Sequence, residues 1–123
     1  GCAMALVLIV DDSPTEQHVI ANTLENHGFD TVVASDGAEA ISVAQEKRPD
    51  VILMDVVMEG MDGFRATREL SKDPATAAIP VVMVTTKDQE SDKFYGLKVG
   101  AVDYLTKPFA DDELVAAVQA SLS

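Results

Sequence analysis

Two hydrophobic spacings alternate along the chain. Compact apolar runs occur at Leu6–Val10, Val51–Met54, Val81–Val84 and Val102–Leu105, with a looser one at Phe29–Ala34. Runs this short, and mostly unbroken, fit strands buried on both faces of a parallel sheet. Between them, apolar positions recur at helical spacing. Ser13-Pro14-Thr15-Glu16 reads as a capping-box start with Pro14 at the first helical position. Val19, Ile20, Thr23 and Leu24 form the inner stripe of that helix, and Gly28 closes it. Ser35-Asp36-Gly37 leads into a second helix with Ala40, Ile41 and Ala44 inside, stopped before Pro49. Asp62-Gly63 opens a third through Lys72, burying Phe64, Leu70 and either Thr67 or the Arg68 stem. Asp88–Val99 is a fourth, weakened by Gly96, since glycine costs about 1 kcal/mol against alanine inside a helix. Asp111–Leu122 is the last, with Leu114, Val115, Val118 and Leu122 on one face.

Five strands alternating with five helices imply an α/β fold, a parallel sheet covered on both sides. Right-handed crossovers leave the flavodoxin-like (βα)5 three-layer sandwich, strand order 2-1-3-4-5, as the common solution at this length. Residues 1–123 read as a single domain, with residues 1–4 a vector-derived remnant or disordered start. Neighbouring strands in such a sheet lie about 4.8 Å apart. Asp12 and Asp55, at the carboxyl ends of strands one and three, therefore belong side by side, with Asp11 close by.

Composition narrows the class. A formal net charge of −12 argues against direct binding of nucleic acid, whose phosphates demand an excess of Lys and Arg. No apolar run reaches the roughly 18 residues that span a bilayer, and no secretion signal precedes the first strand. Cys2 is the single cysteine, which excludes a disulfide framework. A cytoplasmic location, without a membrane partner, is the expectation.

The candidate chemistry lies along one sheet edge. Three carboxylates in one cleft repel unless something neutralises them, and hard oxygen ligands without His or Cys favour magnesium. Strand four ends on Thr85-Thr86 and strand five on Thr106-Lys107-Pro108, adding a hydroxyl and an ammonium. Such a set suits a phosphoryl group, with a carboxylate oxygen as attacking atom. Taken singly, Asp11 is a strand-end residue, Thr85 a loop hydroxyl and Lys107 a solvated charge. Only their convergence argues for a site. His18 and His27, nine positions apart, lack metal-ligand spacing, and Met54, Met58, Met61 and Met83 read as packing.

These residues resemble the signature of CheY-like response-regulator receiver domains. The match runs from Leu6 to Leu122 through Asp11-Asp12, Asp55 with Met58 and Gly60-Met61-Asp62-Gly63, Met83-Val84-Thr85, and Lys107-Pro108-Phe109. The resemblance implies that Asp55 is the phosphoacceptor. It implies Mg2+ bound by Asp12, Asp55 and the Val57 backbone carbonyl, with Asp11 acting through water. Lys107 would contact the phosphoryl group and Thr85 would swing toward it. Tyr104 would then turn inward as the switch aromatic, and the Lys107–Pro108 bond would be cis. The implied role is a phosphorelay switch rather than an enzyme. Its donor would be a histidine kinase or phosphotransfer domain. Its protein target would dock on the face of helix four, strand five and helix five, where Lys93, Phe94, Tyr95, Leu97 and Lys98 mix apolar and basic character. A monomer or weak dimer is expected. A narrower similarity, carried by Asp11–Glu16 and Thr85–Glu90, is to the single-domain PilH group of type IV pilus twitching-motility regulators.

One departure stands out: Glu59 occupies the position, four after the acceptor, where the family usually has proline. Glutamate frees φ and adds negative charge, which predicts a more mobile loop. Val57 carries no polar group to place an attacking water, which predicts a phosphoryl group of at least ordinary persistence. Two rivals fit less well. A magnesium phosphohydrolase would carry an Asp-x-Asp nucleophile motif on strand one, unlike Asp11-Asp12-Ser13. A flavodoxin would need a glycine- and hydroxyl-rich loop where Ser13-Pro14-Thr15-Glu16 stands. The sequence reads equally as a stand-alone regulator or as the receiver of a multidomain transcription regulator.

Overall fold

The computed structural model describes residues 5–122, so the expectations for residues 1–4, Cys2 included, lie outside it. Strands β1 (Leu6–Val10), β2 (Asp30–Ala34), β3 (Val51–Met54), β4 (Val81–Thr85) and β5 (Asp103–Thr106) are all parallel, in the expected order β2-β1-β3-β4-β5. Helices α1 (Pro14–Asn26), α2 (Gly37–Lys47), α3 (Gly63–Lys72), α4 (Glu90–Lys98) and α5 (Asp111–Ser121) connect and cover them. No helix among the described residues is long and apolar enough to cross a membrane.

Because successive strand side chains point to opposite faces, each buried strand feeds two cores. Leu8, Val10, Ile52, Met54 and Met83 pack with Ala40 and Ala44 of α2 and with Ala66 and Leu70 of α3. Val7, Ile9, Val51, Leu53, Val82 and Val84 pack with Ile20 and Leu24 of α1 and with Leu114 and Val118 of α5. Continuous apolar runs in the sequence are the trace of this two-sided burial.

Local details differ from the sequence expectation. Gln17, Ile20 and Leu24 are the buried residues of α1, whereas Val19 is 54 % exposed. Gln17 can be interior because its amide donates to the Asp11 carbonyl at 2.5 Å. The capping box is half made: Ser13 Oγ accepts from Glu16 N, but Ser13 N donates to Asp11 Oδ1 rather than to Glu16. α1 ends on His27, and Gly28 follows with φ of 89°. β5 begins one residue late, leaving Val102 exposed, and Leu122 caps α5 with its side chain outside the core. α4 begins at Glu90, where the Asp92 carboxylate accepts from Gln89 N at 3.3 Å.

Gly96 has a steric role. It is buried on the inner side of α4, where a Cβ would stand 3.0 Å from Tyr104 Cδ2. Gly63 is tighter still, since a Cβ there would meet the Asp55 carbonyl oxygen at 2.0 Å. The first turn of α3 therefore rests on the Asp55 backbone, an approach only glycine permits.

Candidate functional site

The β1–β3 register pairs Val10 with Met54, so the next residues, Asp11 and Asp55, leave adjacent strands together. Backbone bonds extend the ladder past both ends, from Asp55 N to Val10 O at 3.0 Å and from Asp11 N to Ala34 O at 3.1 Å. Oxygen atoms of Asp11, Asp12 and Asp55 lie within 4.8 Å of one another. Asp11 is buried at 2 % exposure, Asp55 is half-buried and Asp12 faces solvent.

Lys107 is delivered along the same carboxyl edge from β5, two strands away from β3. Its backbone N donates to Thr85 O at 2.8 Å, and the following bond to Pro108 is cis, as the resemblance implied. Its ammonium donates to Asp11 Oδ2 at 2.9 Å and lies 3.7 Å from Asp55 Oδ2. Glu16 Oε2 is also near, at 3.8 Å. This third carboxylate around Lys107 was missed in the sequence, where Glu16 reads as a capping residue. Its place one turn past Asp12, on the helix that leaves the site, was the available signal.

Burial pushes the Asp55 carboxyl above its ordinary value. The Lys107 charge opposes that rise, the Asp11 charge adds to it, and hydrogen bonds from Val57 N and the Thr85 hydroxyl oppose it. Lys107 is raised: burial alone would lower it, but the hydrogen bond to Asp11 and the charges of Asp55, Asp11 and Glu16 outweigh that. Thr85 is fully buried, its oxygen accepting from Lys87 N at 3.3 Å. Tyr104 lies half-buried on Gly96 and donates its hydroxyl to Lys87 O at 2.6 Å. Burial, then the charges of Asp92, Asp55 and Asp88, push its phenol up to about 12.

Asp11, Asp12, Asp55 and Lys107 thus meet at one sheet edge, with Thr85 ending the neighbouring strand, while Tyr104 packs against Gly96 of α4. Three acidic oxygen donors balanced by one close ammonium leave an excess of negative charge, a donor set suited to a hard divalent cation. Val57 is exposed beside them, and Glu59 points to solvent in the same loop.

Comparison with known proteins agrees with this geometry. The family of response regulator receiver domains matches residues 7–119. Protein PilH of Pseudomonas aeruginosa is 51 % identical over 120 residues, which are 98 % of this chain and 99 % of that one. The chemotaxis protein CheY4 of Vibrio cholerae superposes with a TM-score of 0.92 at 38 % identity, over 98 % of this chain and all of that one (100 %). The receiver domain of a sensor histidine kinase from Pseudomonas aeruginosa, whose structure has a magnesium ion coordinated in the active-site cleft, superposes with a TM-score of 0.90 at 33 % identity. The superposition covers 98 % of each chain.

Proposed function

The chain belongs to the response regulator receiver family, and we propose that Asp55 is its phosphoacceptor, loaded from the phosphohistidine of a kinase or phosphotransfer domain. The observation that carries this is the half-buried Asp55 carboxylate, held 3.7 Å from the Lys107 ammonium and accepting from Val57 N at 3.4 Å. An Asp55 oxygen attacks phosphorus, the phosphorus–nitrogen bond of the donor breaks, and the departing imidazole nitrogen keeps the electron pair and takes up a proton. Lys107 neutralises an equatorial phosphoryl oxygen, and the Thr85 hydroxyl turns to donate to another.

Asp12, Asp55 and the Val57 carbonyl would hold Mg2+, with Asp11 reaching it through water. The ion would supply positive charge against the phosphoryl oxygens. Asp11 is already engaged by Lys107 and Ser13 N, which fits a supporting position.

The readout runs through Thr85 and Tyr104. Thr85 Oγ1 accepts from Lys87 N and Tyr104 donates to Lys87 O, so a Thr85 that turns toward the phosphoryl group shifts the Lys87 backbone that holds the Tyr104 ring over Gly96. The affected surface is that of α4, β5 and α5, where Phe94 is 70 % and Leu97 51 % exposed. A protein target docks there. The receiver works as a cytoplasmic monomer or weak dimer in control of type IV pilus twitching motility, a reading supported by its likeness to PilH.

The test is incubation with a small phosphoryl donor and magnesium, followed by intact mass. An adduct of about 80 Da, absent in Asp55→Asn, is the expected result. No adduct with any donor would overturn the proposal.

A further inference from the structure

Three of the chain's nine basic residues gather far from Asp55. Arg68 and Lys72 of α3 and Lys98 of α4 line one cleft of about 390 Å3, together with Ser71, Tyr95 and Val99. The cleft lies where both helices end, beside the turn that enters β5, on the edge of the sheet opposite the acceptor. No carboxylate lines it. None of the three cations has an ion-pair partner among the described residues. What sets these three apart in a chain of net charge −12 is that they line the same cleft with no carboxylate among them. Arg68 and Lys72, four apart on one helix face, repel each other when nothing lies between them.

Helix-end compensation accounts for little of this arrangement. Lys72 and Lys98 sit in last turns, where positive charge is favourable, but Arg68 does not. The end carbonyls also have other partners. Glu69 O accepts from Asp73 N at 3.2 Å, Tyr95 O from Val99 N at 3.0 Å and Leu97 O from Gly100 N at 3.2 Å. Leu70 O accepts from the Thr76 hydroxyl at 2.7 Å, and Val99 O from the Ser71 hydroxyl at 3.3 Å. The cations thus remain free to bind something else. Tyr95 adds a planar wall: it is 42 % exposed, and its ring is held edge-on to Phe64 at 5.0 Å between centroids.

We propose that this cleft binds a nucleotide, its phosphate held by Arg68, Lys72 and Lys98 and its base laid against Tyr95. A guanidinium takes two phosphate oxygens at once, and the ammonium groups supply point charge. The cleft is at the small end of the range for small-molecule sites. The site is independent of phosphoryl transfer to Asp55.

Amide-resolved NMR titration of the 15N-labelled protein, in EDTA to keep divalent cations away, tests it. The probes are AMP, GDP, inorganic phosphate and a polyglutamate peptide. A nucleotide should saturably shift the amides of Arg68, Lys72, Tyr95, Lys98 and Val99, leaving Asp55 and Lys107 in place. Inorganic phosphate should need higher concentrations, and Arg68→Glu or Lys98→Glu should weaken nucleotide binding about tenfold or more. These substitutions are on the surface, and unchanged resonances elsewhere verify the fold. Shifts retained in both variants, or no saturation by about 10 mM nucleotide, would overturn the site. Phosphate binding as tightly as nucleotide would overturn recognition of the base. Tighter binding of the peptide would mark the cleft as a surface for an acidic protein and overturn the proposal.

Discussion

The Tyr104 ring rests on Gly96: a methyl group at residue 96 would stand 3.0 Å from Tyr104 Cδ2 and 3.1 Å from Cε2. The ring cannot retreat freely, because its hydroxyl is tied to Lys87 O at 2.6 Å. Two effects therefore compete in Gly96→Ala. Alanine favours the helix by about 1 kcal/mol, and the contact with Tyr104 opposes it. Urea denaturation should show no net gain in the parent chain but a gain of about 1 kcal/mol when Tyr104 is also alanine. An equal gain in both backgrounds would show that the ring does not press on residue 96.

Asp55 carries a pH signature. Its carboxyl titrates above its ordinary value because it is buried, with Lys107 opposing the rise. Between the unfolded and the folded value the native state binds more protons, so stability falls as pH rises through that window. At neutral pH and without divalent cations the ionised group is a liability. Asp55→Asn should therefore be more stable than the parent at pH 7, the difference shrinking as pH falls toward the ordinary aspartate value of 3.8. Thermal unfolding across that range in EDTA measures it, and a constant difference would contradict the assignment.

Glu16 stands 3.8 Å from the Lys107 ammonium and shares it with Asp11 and Asp55. Its side chain is 48 % exposed, so solvent and salt screen its influence. Glu16→Gln should leave Lys107 freer and the approach less repulsive to an anionic donor. The expected result is roughly a two- to five-fold faster phosphorylation by a small donor at low salt, fading as salt is raised. An unchanged rate at low salt would remove Glu16 from the site.

Gly63→Ala should be among the most damaging single-methyl additions. The new Cβ would lie 2.0 Å from the Asp55 carbonyl oxygen and 2.8 Å from its carbon, both backbone atoms that cannot rotate away. A loss of about 3 kcal/mol or more is expected from urea denaturation, against typical overpacking penalties of about 1–3 kcal/mol. Gly60→Ala is the contrast. Nothing crowds its Cβ position, and its φ of 76° predicts a smaller, purely conformational loss of about 1 kcal/mol.

Much of this architecture was legible in the sequence because two-sided burial leaves continuous apolar runs, and the strand order then brings Asp11, Asp12 and Asp55 together. Lys107 and Thr85 were legible as strand-end residues on that edge. What escaped was side-chain direction within a turn. Val19 and Gln17 differ by half a turn of α1, and hydrophobicity favoured Val19. The deciding factor was a hydrogen bond from Gln17 to a carbonyl that no one-dimensional pattern reveals. Glu16 was mistaken for a cap because spacing from Ser13 cannot show that Lys107 lies across the way. Gly96 was read through helix propensity, whereas the neighbour that requires it is eight positions ahead on β5. The basic cleft was half visible: Lys98 and Tyr95 were noted, but their partners Arg68 and Lys72 lie on another helix.

The bond between Lys107 and Asp11 spans 96 positions of sequence, linking the residue after β1 to the residue after β5. Before β5 has docked at its edge of the sheet, the acidic cluster has no ammonium to offset its charge. A chain in which β5 has not docked keeps Asp11 and Asp55 without the ammonium that lies 2.9 Å and 3.7 Å from them. The charge balance of the proposed acceptor site is thereby tied to the docking of the last strand of the sheet.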